Sequence, residues 1–338
     1  MNKFSNILVV RTDRIGDVVL TTPALQALRE AFPNARLTVW TSLGTRELID
    51  GLPFIDEVLS YPSGGTWGYL KMARDLSRRR FDLAVVYHTK RFTNAACFLA
   101  GIPYRLGYRD QKFGLLLNHP VRDIRPMGER HETEYCLDLL TEIGVPGGAF
   151  VPRVAFQKEA EVWADEFFLQ QFPGGTPVVA IHPDASCPTK RWPVEGFAAV
   201  ADDLEGRGIR TVIIGGKAAK PLALAMRAAM RSDPLDLTGE ISLSCSTSLL
   251  KRCRLLISND SGPVHIAAAA GTTVISLFLR RQPGINPERW RPLGEKAIVL
   301  ANDPQEAVCV DKDSRVVSGR MDAITPLDVL RAGAPFLS

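Results

Sequence analysis

RLLISNDSGPVHIAAAAGTTVISLF, Arg254 to Phe278, decides the fold. Leu255-Leu256-Ile257 is an apolar run of strand length, and Thr273 to Phe278 is β-branched and aromatic, so both ends predict buried strands. Between them Pro263 stands where a first helical residue belongs and Gly271 where a helix stops. A helix of that length spans only about 12 Å at ~1.5 Å per residue, too little to fill a core. The four alanines, Ala267 to Ala270, let it lie close to a sheet. A strand, tight turn and short helix leave the backbone N–H groups of Ser261, Gly262, Val264 and His265 at the positive end of a helix dipole, where an anion binds, phosphate first among them. The plainer alternative is an ordinary βαβ unit with Ser261 as side-chain cap.

Working outward, the same architecture occurs twice. Ile7–Val10, Arg36–Trp40 and Leu83–Tyr87 read as strands, with helices over Val18–Phe32 (kinked or restarted at Pro23), Leu70–Arg80 and Thr133–Ile143. A connecting helix at Lys158–Phe172 leads to strand Val178–Ile181, helix Val194–Arg207, strand Thr211–Ile214, helix Leu222–Arg231 and the opening segment. Thr325-Pro326-Leu327-Asp328 starts a closing helix with a cap, a proline and an acid. Strands alternating with helices mean parallel sheets, whose ligands sit beyond the carboxyl ends of the strands. The expected organisation is α/β with three parts: residues 1–157 as a first Rossmann-like domain, 158–324 as a second, and 325–338 as the closing helix, with two parallel sheets facing a central cleft.

Composition limits the function classes. A chain of 338 residues, 46% hydrophobic and 23% charged, is long enough for two domains and ordinary for a soluble protein. Neither a signal peptide nor a membrane span is evident, and six cysteines show no CxxC or zinc spacing, so a cytoplasmic chain with reduced thiols is expected. The net charge of +4 lies wholly in the first half, where residues 1–155 hold 20 Lys+Arg against 16 Asp+Glu. No helix-turn-helix or stacking-aromatic pattern accompanies the excess. It therefore points to an anionic small substrate or an anionic membrane surface rather than nucleic acid, with a merely solvated basic face as the alternative for Arg78-Arg79-Arg80.

Three strand-to-loop junctions carry the chemistry. Arg11-Thr12-Asp13-Arg14-Ile15-Gly16-Asp17 has a glycine turn and an acid at a helix start, without the spacing of a Walker loop or GxGxxG. His182-Pro183-Asp184-Ala185-Ser186, followed by Thr189-Lys190-Arg191-Trp192-Pro193, delivers a cation to the end of a strand. The opening segment is the third.

RTDRIGDVVLTTPALQALREAFP, HPDAS with TKRWP, and SNDSGPVHIAAAAGTTVISLF, in this order, resemble glycosyltransferase family nine, the ADP-heptose:lipopolysaccharide heptosyltransferases. HETEYCLDLLTEIGV, NPERWRPLG and MDAITPLDVL extend the likeness over nearly the whole chain. The resemblance implies a glycosyltransferase-B fold with the acceptor bound mainly by the first domain and the donor by the second. It also implies inverting transfer of heptose from ADP-heptose to a lipopolysaccharide core acceptor of the lipid A–Kdo type, an anionic lipid-linked saccharide, with no obligatory metal or cofactor. Peripheral contact with the inner face of the inner membrane goes with such an acceptor. A family member using another nucleotide-sugar or acceptor, or a sugar-nucleotide-binding protein without catalysis, are the alternatives.

Inverting transfer needs a base for the acceptor hydroxyl and positive or dipolar groups for the departing diphosphate. Asp17 at a helix start suits the first role; Lys190 and the amides of Ser261 and Gly262 suit the second. Asp13 lies four residues before Asp17, and Gly16 between them predicts a turn that separates the two acids, so that only one serves. Donor contacts are expected from Ser186, Lys190, Asp260, Ser261, Gly262 and His265, with Asp260 capping amides or accepting sugar hydroxyls. Acceptor contacts are expected from Arg14, His88, Arg105 and His131, the last of these having helix capping as its plainer role. Asp311-Lys312-Asp313 resembles a metal-binding DxD but belongs with a different fold. Two departures from the family pattern stand out: Gly215-Gly216-Lys217 replaces the acid that reads the nucleotide ribose, and Asp184 adds negative charge near the phosphates.

Overall fold

In a computed structural model of the chain, the described residues are 3–61, 66–88, 92–110, 113–310 and 316–337. The chain divides into two compact units, Met1–Ala155 and Phe156–Ser338.

The first unit runs β1 (Asn6–Val10), α1 (Ile15–Ala31), β2 (Arg36–Trp40), β3 (Glu57–Leu59), α2 (Thr66–Arg79), β4 (Leu83–Val86), α3 (Thr93–Leu99), β5 (Tyr104–Tyr108), β6 (His119–Val121) and α4 (Glu132–Thr141). The second runs α5 (Lys158–Gln171), β7 (Val178–His182), α6 (Val194–Gly206), β8 (Arg210–Ile213), α7 (Lys220–Ala229), β9 (Leu235–Asp236), α8 (Leu243–Arg252), β10 (Leu255–Asn259), α9 (Gly262–Ala269), β11 (Thr273–Phe278), α10 (Pro287–Trp290), β12 (Ala297–Ala301), β13 (Cys309–Val310), β14 (Val316–Ser318) and α11 (Pro326–Gly333).

Among the described residues each unit carries one six-stranded sheet, ordered β3-β2-β1-β4-β5-β6 in the first and β12-β11-β10-β7-β8-β9 in the second. Counted within each unit, both orders are 3-2-1-4-5-6, and every pairing inside them is parallel. That is the doubly wound Rossmann order, in which the crevice for a ligand opens where the strand order reverses. The reversal falls between β1 and β4 in the first sheet and between β7 and β10 in the second. Those four strands are nearly continuous apolar runs because helices cover both of their faces: β4 and β10 are buried throughout, and in β1 only Asn6 is partly exposed.

Several sequence boundaries move. α1 starts at Ile15, three residues before the expected Val18, and runs unbroken through Pro23. α5 lies in the second unit, where Glu161 pairs with Lys251 at 2.6 Å and Arg252 at 3.0 Å on α8. α11 opens with a capping box between Thr325 and Asp328 and packs against α6 and β11. Trp192 is buried against α6, its ring edge-on to Phe197 at 4.9 Å, and a Cβ on Gly196 would sit 2.6 Å from that ring, so the close approach requires glycine. All six cysteines are free thiols, and no helix among the described residues is long and apolar enough to cross a membrane.

Candidate functional site

At the first reversal point, β1 is followed directly by Arg11, whose side chain is 2% exposed. Its Nε lies 2.9 Å from Asp13 Oδ1, and one terminal nitrogen donates to Asp17 Oδ1 at 2.5 Å and to Glu132 Oε1 at 3.0 Å. Glu132, the first residue of α4, is fully buried and lies 3.6 Å from Arg125, which is itself held by Asp123 at 2.7 Å and stacked over the Tyr108 ring at 3.8 Å. A buried charge persists only when paired, and here two arginines face four carboxylates, an excess of two negative charges. Such an excess pushes a carboxyl toward its neutral form. Asp13 is such a carboxyl: burial pushes it up to about 6, Arg11 opposes the rise, and the nearby Asp17 adds to it. Burial likewise holds the adjacent Cys136 thiol neutral by raising it to about 12.

The expected separation of the two acids does not occur. Asp13 and Asp17 converge on one guanidinium because the turn before α1 brings both back over the end of β1. Asp17 is the third residue of α1, not its cap; the cap position is Arg14, which caps through no side-chain bond.

The other expected first-unit contacts divide. Arg14 is exposed on the same loop, and His88, just past β4, is partly exposed at the same reversal point. His131 is 1% exposed and caps α4, its Nδ1 accepting from the Thr133 amide at 3.2 Å, so the plainer role holds. Arg105 does not reach the site. It sits near the amino end of β5, and its guanidinium donates to the Leu116 carbonyl at 2.8 Å and the Ile102 carbonyl at 2.5 Å.

At the second reversal point, Asn259 at the end of β10 joins two motifs: its Oδ1 accepts from the Trp192 amide at 2.9 Å and its Nδ2 donates to the Pro183 carbonyl at 2.8 Å. The next residue, Asp260, is buried and forms an ion pair with Lys190, which lies on the single turn Pro188–Lys190. Lys190 therefore meets a ligand as half of a pair rather than as a lone charge.

Ser261 is the cap residue of α9, yet its side chain makes no capping bond. Instead its Oγ lies 3.1 Å from His182 Nδ1 and 3.1 Å from Ser258 Oγ. Burial drops His182 to about 4, so this imidazole is neutral near pH 7 and acts as a hydrogen-bonding strut. The helix start is thus left to the backbone, as an anion site requires. Gly262 is its first residue, Pro263 its second rather than its first, and His265 is buried at its fourth position.

Ser186 is exposed on the loop after β7. Asp184, expected to add negative charge, is neutralised by Arg191 at 2.9 Å. The acid missing after β8 has a neighbour on the next strand, Asp236, which lies 3.2 Å from Lys220. Sequence reasoning missed Arg280, a second cation beyond β11 that donates to Thr189 at 3.2 Å next to Lys190; its only sequence signal was a cation two residues past a strand end. Asp311 and Asp313 lie outside the described residues.

Residues 69–318 match the family model of glycosyltransferase family 9 (heptosyltransferase). The chain is 27% identical over 312 residues to lipopolysaccharide heptosyltransferase 2 of Escherichia coli K12, covering 87% of each. Among solved structures, the glycosyltransferase family 9 protein of Veillonella parvula superposes with a TM-score of 0.86 at 24% identity, covering 99% of this chain and 98% of that one. The ADP-heptose heptosyltransferase II of E. coli gives 0.82 at 23% identity over 98% of each. With the two parallel sheets, these likenesses establish the glycosyltransferase-B fold.

Proposed function

We infer the function from one premise: the chain belongs to glycosyltransferase family 9, the heptosyltransferases, and is a glycosyltransferase. We propose that its donor is ADP-heptose and its acceptor a lipopolysaccharide core saccharide of the lipid A–Kdo type, that it acts on the cytoplasmic side, and that it contacts the membrane peripherally. The first unit takes the acceptor and the second the donor.

The observation that carries this reading is the chemistry placed at the two reversal points. A largely buried carboxyl raised to about 6 stands at one, and a lysine with an uncapped helix start stands at the other. Within it Asp13, rather than Asp17, is the base. A base works best when its pKa lies just below the working pH, where it is ionised but still basic. Arg11 positions both acids, and Asp17 keeps Asp13 basic by repulsion. Asp13 takes the acceptor hydroxyl proton as the oxygen attacks the anomeric carbon from the face opposite the leaving diphosphate, which inverts the configuration.

On the donor side, charge develops on the diphosphate as the glycosidic bond breaks. Lys190, Arg280 and the first amides of α9 are the groups that meet it. The diphosphate competes with Asp260 for Lys190, and the displaced carboxylate accepts hydroxyls of the sugar. Ser186 and Gly262 belong to the same donor surface, Arg14 and His88 to the acceptor surface.

A thermal-shift panel of ADP, UDP, GDP and CDP with their sugars tests the donor. A ligand at about 100 times its dissociation constant adds about 2.7 kcal/mol, so ADP and ADP-heptose should raise the melting temperature by several degrees. A shift with UDP alone would point to the alternative, a family member with another donor; no shift with any nucleotide would leave the donor site without support.

A further inference from the structure

We propose that the exposed apolar face formed by α3 and the single turn Gly114–Leu116 is a docking surface for an anionic lipid bilayer. It deepens the proposal of a lipid-linked acceptor by giving the membrane contact a place on the first unit.

Phe98 and Leu99 at the end of α3 are 48% and 59% exposed, and Phe113 and Leu115 are 42% and 85% exposed. They are neighbours: α3 packs on the Gly114–Leu116 turn, and the Phe113 ring stacks on Phe92 with centroids 6.2 Å apart. Arg105 joins the two halves. Its guanidinium lies over the Phe98 ring at 5.4 Å while donating to the Leu116 carbonyl at 2.8 Å. Four large apolar side chains on one ledge are more than the scattered exposed leucines of an ordinary surface.

The ledge is held open at a cost. Phe113 sits at φ 59°, a left-handed conformation that a bulky residue avoids. The next residue, Gly114, has to be glycine, since a Cβ at that position would lie 2.0 Å from the Arg109 carbonyl oxygen. A free surface gains nothing from strain that presents a phenylalanine to water; a surface that enters an interface does.

Charge selects the occupant. The sequence from His88 to Leu117 holds five Lys/Arg and one Asp, a net of +4, equal to the net charge of the entire chain. Of these, Arg109 stands exposed beside Gly114, with Asp110 no closer than 3.9 Å. Apolar side chains on a stretch of chain this rich in cations suit the boundary between acyl chains and anionic headgroups, with each cation near the surface adding about 1 kcal/mol of attraction. An apolar protein partner would not need that excess of one sign.

The test is flotation of the full-length chain with vesicles of phosphatidylcholine containing 30 mol% phosphatidylglycerol, against phosphatidylcholine alone, with no acceptor or nucleotide present. Binding should require phosphatidylglycerol and weaken as salt rises. Leu115→Glu should cut partitioning by about tenfold or more, from the loss of one buried leucine and the added repulsion. Leu224→Glu, an equally apolar exposed site in the second unit, should not. Circular dichroism and melting temperature check that Leu115→Glu is folded. Absence of wild-type binding to the anionic vesicles, equal binding by Leu115→Glu, or a concentration-dependent dimer that the same substitution breaks would each overturn the proposal. Because no nucleotide enters the experiment, its failure leaves the donor assignment standing, and a failed nucleotide panel leaves this result standing.

Discussion

If Asp13 is the base, replacing it with asparagine removes the accepting lone pair while preserving size. The kcat should fall by about 10²–10⁴-fold, the range for loss of a general base, with donor affinity unchanged. The same substitution should stabilise the protein. Asp13 is raised from 3.8 to about 6, so the folded chain holds this proton more tightly than the unfolded one. Its contribution favours folding below about pH 3.8 and becomes a cost as pH rises from there through 6. At ~1.36 kcal/mol per unit the full cost is roughly 3 kcal/mol, and 1–3 kcal/mol should be regained at pH 7.5, because Arg11 keeps Asp17 and Glu132 as partners. Asp17→Asn acts differently. Asp13 and Asp17 contact Nε and a terminal nitrogen of one guanidinium, and two like charges held that close repel by roughly 3 kcal/mol at an effective dielectric of about 20 and by less in a wetter site. Removing Asp17 should therefore lower the acid limb of kcat/KM, near pH 6 in the wild type, by about 1–2 units while activity at pH 8 survives within about tenfold. The assays are pH profiles of kcat/KM and of denaturation midpoint for the three proteins. An inactive Asp17→Asn beside an active Asp13→Asn, or an Asp13→Asn no more stable than wild type at pH 7.5, would refute the reasoning.

Four further outcomes follow from the same geometry. Lys190→Ala should weaken ADP binding by about 1.5–3 kcal/mol in calorimetry, whereas Asp260→Asn, which frees Lys190 from its pair, should leave ADP binding equal or tighter while weakening the nucleotide-sugar. Arg11→Met leaves three carboxylates facing one another and should cost about 3–5 kcal/mol at pH 8, less at pH 5 where they take up protons; a loss independent of pH would argue against the cluster. His182, depressed from 6.5 to about 4, contributes stability above pH 6.5 that is lost as pH falls through 4, so melting temperature should drop over that window and His182→Asn should flatten the slope. Exhaustive chelation should leave most transferase activity intact; complete loss restored by a divalent ion would bring Asp311 and Asp313 back into consideration.

The sequence by itself determined the class of fold and the addresses of the chemistry. Runs such as Ile7–Val10 and Leu255–Ile257 read as strands covered on both faces, and the turn residues after them mark where loops leave the sheet. Composition could say nothing about short edge strands: His119–Val121 and Leu235–Asp236 carry no periodicity and exist because a neighbour offers its free edge. What the tertiary structure decided was pairing. Arg11 meets Glu132 across 121 residues because α4 packs on α1 beside the end of β1, and Lys190 meets Asp260 across 70 because strand order brings the ends of β7 and β10 side by side. Side-chain spacing along the chain does not encode that order. The same limit explains Arg105 and Asp13. A basic residue in a basic stretch reads as a ligand contact until its strand position turns it toward backbone carbonyls. An acid four residues from another reads as a spare until burial beside a shared guanidinium raises its carboxyl, since desolvation and charge sum over neighbours that only the folded chain assembles.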